Sequence, residues 1–147
     1  MAEPVITWYI QTEDSNKMTP QNSAYIGTCT KDHGVTASFQ VWNNRYGTTD
    51  VSSLENFSIQ IGFEHTEDEV ILQYCTLING SSSLTRVIKS GRAIFHIDRV
   101  ISGKKNNGSV SDNPENFLEF TFKFTTPANS HFKENDLKNM YIEIVNN

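Results

Sequence analysis

The stretch LEFTFKF, residues 118–124, alternates without interruption. Leu118, Phe120, Phe122 and Phe124 fall on one side, and Glu119, Thr121 and Lys123 on the other. Side chains of an extended chain alternate between faces with a period of two, so this pattern predicts a half-buried β-strand. FSIQIGF repeats it with Phe57, Ile59, Ile61 and Phe63 on one face, and MYIEIV with Met140, Ile142 and Ile144. AIFHIDRVI sets Ala93, Phe95, Ile97, Arg99 and Ile101 against Ile94, His96, Asp98 and Val100, which predicts a strand covered on both faces. The same period predicts strands near 5–11, 24–30, 34–42, 56–63, 69–78, 84–89, 92–101, 117–125 and 139–145. No stretch sustains a helical period, and a single turn near 130–138 is the most it allows.

About nine short alternating strands joined by polar loops give an antiparallel sheet with one apolar face, which must be buried on a second sheet. The expected fold is all-β: a two-layer, jelly-roll-like β-sandwich forming one domain over residues 1–147. A chain of 147 residues is long enough to bury a core of its own. The expected loops are 12–23, 43–55, 64–68, 79–83, 102–116 and 126–138. SGKKNNGSVSDNPEN, at 102–116, has no large hydrophobe and reads as the most mobile of them.

LENFSIQI (54–61) and LKNMYIEI (137–144) share Leu-x-Asn, then an apolar residue, then x-Ile-x-Ile, and ENF returns at 115–117. These echoes predict a way of entering a strand. The Leu plugs the sheet from the loop, and the Asn shapes the turn through its side chain or a left-handed backbone.

Composition removes several function classes. The formal net charge is -5 and the longest basic run is Lys104-Lys105, so phosphate-rich partners are not expected and nucleic acid is excluded as a partner. Asn, Ser and Thr number 43, a polar but uncharged make-up common among extracellular and virion β-proteins. No apolar run approaches the roughly 18 residues of a membrane span. MAEPVITW carries neither a basic n-region nor an apolar h-region, so no membrane insertion is expected and the product is soluble in the cytoplasm when first made.

Cys29 and Cys75 are the only cysteines. Each lies in a strand-like stretch, and without a secretory signal two buried thiols are expected rather than a disulfide. The sequons at Asn56, Asn79 and Asn107 are no more than this Asn-rich composition gives by chance. His33, His65, His96 and His131 are scattered without metal-ligand spacing. His96 and Asp98 share a face but have no nucleophile beside them, so they read as a surface hydrogen bond. EHTEDE (64–69) lacks a calcium-loop pattern and reads as a solvated acidic hairpin. No nucleophile elbow or phosphate-binding glycine loop occurs. The expectation is a non-enzymatic protein with no catalytic residue, metal or cofactor.

One segment resists the simple pattern. VWNNRYG (41–47) closes an alternating run in which Val35, Ala37, Phe39 and Val41 face the core, and that parity places Trp42 on the polar face. Two readings stand. Trp42, Asn43, Asn44, Arg45 and Tyr46 supply the aromatic area and planar polar groups of a saccharide site, with an exposed Trp42 ring. Alternatively Asn-Asn-Arg-Tyr-Gly is turn chemistry, with Arg45 stacked on an aromatic ring and Trp42 covered by the 102–116 loop.

The run TASFQVWNNRYGTTDVSSLENFSIQIGFEHTEDEVILQY (36–74) resembles phage material. Over most of its length the chain resembles small proteins encoded just downstream of the tail genes of Bacillus-infecting siphophages. These in turn are similar to the β-sandwich shoulder domain of lactococcal phage receptor-binding proteins. The resemblance implies a viral accessory protein of the tail or baseplate, first made in the host cytoplasm. It would bind other virion proteins or host-surface glycan. Rival expectations are a free carbohydrate-binding module and a phage factor that binds a host protein. The chain departs from receptor-binding proteins in lacking heptads, so no coiled-coil trimerisation element is expected.

Overall fold

The computed structural model describes residues 1–12, 19–20, 23–24, 34–63, 69–125 and 140–146. Among them are eleven strands: β1 (Ile6–Thr12), β2 (Thr19–Pro20), β3 (Ser23–Ala24), β4 (Val35–Asn43), β5 (Phe57–Phe63), β6 (Cys75–Asn79), β7 (Ser82–Ser83), β8 (Arg86–Lys89), β9 (Arg92–Ile97), β10 (Phe117–Phe124) and β11 (Met140–Asn146). LEFTFKF lies in β10, near the middle of a six-stranded sheet of order β2-β1-β4-β10-β6-β7. FSIQIGF is β5, central in a five-stranded sheet of order β3-β11-β5-β9-β8. Neighbouring strands in both sheets run antiparallel. The chain switches repeatedly from one sheet to the other, a jelly-roll-like, two-layer sandwich as the alternation required.

The inward residues of both sheets meet in one core. Phe39, Phe120, Phe122 and Phe124 from the first sheet join Phe57, Ile59, Ile61, Phe95, Met140 and Ile142 from the second. Phe124 and Phe63 touch edge to face across the interface, with centroids 5.9 Å apart. Burying each such side chain contributes about 1.5–3 kcal/mol. The Leu plug is present: Leu54 is buried, bridges to Ile101, and is followed by Asn56 at φ 49°. The matching residues Leu137 and Asn139 lie outside the described residues, as do most of the predicted strand 24–30 and the turn at 130–138.

Two strand expectations are corrected. Residues 69–74 form a 3-10 helix, and only Cys75–Asn79 is strand. Val70, Ile71 and Leu72 are consecutive and do not alternate, and the buried pair Leu72 and Cys75 is spaced by three. The strand predicted over 92–101 ends at Ile97, and it buries one face only. Ala93, Phe95 and Ile97 are buried, while Ile94 is half-buried and His96 exposed. Beyond it Ile101 returns to the core as the bridge partner of Leu54.

Cys75 is a free, fully buried thiol, while Cys29 lies outside the described residues. The Arg86 side chain donates through Nη1 to the Cys75 carbonyl at 2.6 Å. Burial pushes the Cys75 thiol from 9.0 up to about 12, with the Arg86 charge pulling more weakly the other way. The thiolate is the reactive form, so peptide-resolved alkylation at pH 8 should leave Cys75 unmodified until the protein is unfolded. The folded pKa is the higher one, so the stability this thiol contributes is complete below pH 9 and is lost as pH rises toward about 12. Rapid labelling of Cys75 in the native protein would contradict this burial.

Candidate functional site

The alternation of β4 does place Trp42 on the outer face, opposite Thr7 of β1 and Phe117 of β10. The ring is nevertheless fully buried. Phe117 stacks on it at 4.5 Å with an interplanar angle of 19°. The Arg45 guanidinium lies over it, 4.3 Å from the Trp42 centroid and 4.5 Å from that of Tyr9. The indole N–H donates to Gln40 Oε1 at 3.0 Å, which satisfies its one polar atom. A saccharide site built on an exposed Trp42 is therefore incorrect: a cation and a second aromatic ring already occupy the space a sugar would need. The 102–116 loop contributes through Gly108, whose carbonyl accepts from Arg45 Nε at 3.1 Å.

The two asparagines that follow are structural ties. Asn43 donates through Nδ2 to the carbonyls of Ser52 (2.9 Å) and Ile101 (3.3 Å), and its Oδ1 accepts the Val5 N–H at 2.9 Å. Asn44 donates to the carbonyls of Thr49 (2.8 Å) and Gly103 (2.9 Å). Asn44 at φ 61° and Tyr46 at φ 64° turn the chain sharply, and the Gly47 N–H closes the turn on the Asn44 carbonyl at 2.9 Å. Asn adopts this left-handed backbone readily. For Tyr it costs on the order of 1 kcal/mol and persists only where the surroundings enforce it.

Those surroundings come from residues that the sequence pattern did not single out as site residues. Asn106 donates to the carbonyls of Asn44 (2.8 Å) and Lys104 (3.2 Å), and its Oδ1 accepts the N–H groups of Tyr46 (3.2 Å) and Gly108 (2.9 Å). Asn116, immediately before β10, donates to the carbonyls of Asn43 (3.1 Å), Ser102 (3.0 Å) and Lys104 (2.7 Å). All four asparagines are buried, at 0–8 % exposure. The segment 102–116 is thus pinned to 43–55 rather than loose. The one available signal was the ENF echo, which marked Asn116 as a turn-shaping residue but not its distant partners.

What the frame presents is Tyr46. Its ring lies against Gly108, at φ 86°, where a Cβ would overlap the ring, and it keeps 64 % of its surface exposed. Beside it is an open cleft of about 560 Å³ bordered by Thr48, Lys105, Asn107, Asp112 and Asn113. Of the five sequence-predicted site residues, Trp42, Asn43 and Asn44 are internal, Arg45 is half-buried between rings, and only Tyr46 faces out.

His96 and Asp98 are both exposed, whereas His33, His65 and His131 and most of EHTEDE lie outside the described residues. No group of three or more potential metal ligands occurs among the described residues, and no described helix is long and apolar enough to cross a membrane. Fold and site together define an all-β sandwich whose loop end is braced by buried asparagines. Comparison with protein-family models, with curated proteins and with solved structures gives no match to this chain.

Proposed function

We propose that this chain is a non-enzymatic binding module. It would serve as an accessory tail or baseplate component of a bacteriophage that engages other virion proteins or the host surface through its braced loop end. The observation that carries the binding role is Tyr46, a largely exposed aromatic ring held at a costly backbone angle by hydrogen bonds from beneath. Rigid aromatic area at low entropic cost is what recognition surfaces use. The buried side chains that brace the loop end are the amides of Asn43, Asn44, Asn106 and Asn116, which neither attack a substrate nor carry protons near neutral pH, so they suit framing rather than catalysis. The phage setting rests on the resemblance carried by residues 36–74.

Quantitative mass spectrometry of purified phage particles tests the assignment. Peptides of this chain at several copies per particle are the expected result. Abundant expression during infection with no copies in particles would overturn the tail role and favour a factor acting on a host protein inside the cell.

A further inference from the structure

We infer that the cleft beside Tyr46 is a saccharide subsite for a neutral pyranose, with the Tyr46 ring as the stacking platform. This deepens the reading of the loop end as a binding surface and rests on it. The cleft volume, about 560 Å³, lies within the range of small-molecule sites. Gly108 packs against the Tyr46 ring and the Arg45 guanidinium lies 5.2 Å from its centroid, while 64 % of the residue stays exposed.

The backbone of the polar wall is tied down by hydrogen bonds. Asp112 Oδ2 accepts the Asn107 N–H at 2.7 Å, Asn113 Nδ2 donates to the Lys105 carbonyl at 2.8 Å, and the Lys105 N–H donates to Asp50 Oδ1 at 2.9 Å. Such preorganisation lowers the ordering cost of binding. The chemistry of the wall selects the ligand. Lys105 and Asp112 set one positive and one negative charge in the same cleft, beside the amide of Asn107 and the hydroxyl of Thr48. A phosphate or polyanion would meet the Asp112 carboxylate, whereas sugar hydroxyls both donate and accept and can use every group present. An apolar pyranose face on Tyr46 with hydroxyls toward this wall is the complementary match.

Ligand-observed saturation-transfer NMR on the full chain tests this, with chitotriose, maltotriose, lactose and glycerol phosphate each at about 20 mM. The expected result is binding of at least one of the three neutral sugars, with a dissociation constant on the order of 1 mM. Tyr46→Ala should weaken it at least about tenfold and Tyr46→Phe less than about threefold. Lys105→Ala provides a second variant that leaves the frame intact, since the Lys105 backbone makes the ties. It should weaken binding about threefold. Three silent sugars, unchanged binding by Tyr46→Ala, or preferential binding of glycerol phosphate would each overturn the assignment. A chain that ignores sugars yet is stoichiometric in particles loses the saccharide subsite alone, whereas one that binds sugar but is missing from particles loses the tail role.

Discussion

Asn116→Asp is expected to destabilise the protein by about 4 kcal/mol at pH 7, a large part of the stability of an ordinary domain. The substitution preserves shape and changes one nitrogen to oxygen. In the native side chain Nδ2 points at three backbone carbonyls 2.7–3.1 Å away, in a site with no solvent exposure. An aspartate there would set a buried negative charge against three acceptors and take the Asn116 donor from each, leaving the Lys104 carbonyl with Asn106 alone at 3.2 Å. Each unsatisfied buried polar group costs about 1–3 kcal/mol, and an uncompensated charge adds to that. The penalty should shrink below the usual carboxylate range, because a protonated acid can donate one of the missing bonds. Urea unfolding followed by tryptophan fluorescence measures it directly. A loss under about 1 kcal/mol would mean that Asn116 does not bridge these loops.

Trp42→Ala is the second large effect, expected to cost about 3–5 kcal/mol. Removing the indole empties the space between Phe117 and Arg45, and the guanidinium keeps only Tyr9 and Tyr46 as ring partners. The exposed ring four positions along behaves oppositely: Tyr46→Ala should change stability by less than about 0.5 kcal/mol. This contrast separates the frame from the surface it presents. If Trp42→Ala were neutral in stability but abolished ligand binding, the ring would be a contact residue and its burial here would be wrong.

The strand period was legible because it is local. LEFTFKF and FSIQIGF each state, within seven residues, which side chains face inward, and the buried Phe120, Phe122, Ile59 and Ile61 follow that parity. Parity also put Trp42 on the outer face correctly. It could not say what lies on that face, because Phe117 comes from a strand 75 positions later and Arg45 folds back over its own strand. The 102–116 segment misled for a related reason. Its Gly, Asn and Ser content describes a loop, but the bonds that immobilise it join Asn106 to Asn44 across 62 positions and Asn116 to Asn43 across 73. Residues 69–74 failed differently, since consecutive apolar residues carry no period to distinguish strand from 3-10 turn.

Native-state hydrogen exchange at residue resolution reaches the central claim most directly, that the loop end is a rigid frame rather than two surface loops. The informative amides are those of Asn44, Val51, Leu54 and Asn106, which donate to the carbonyls of Val5, Gly103, Ile101 and Gly47 at 2.8–3.1 Å. The expected result is protection of these four comparable to that of β10, so that they open only with the core. Exchange at the rate of exposed loop amides, with β10 still protected, would contradict the braced frame and remove the basis for Tyr46 as a presented binding residue.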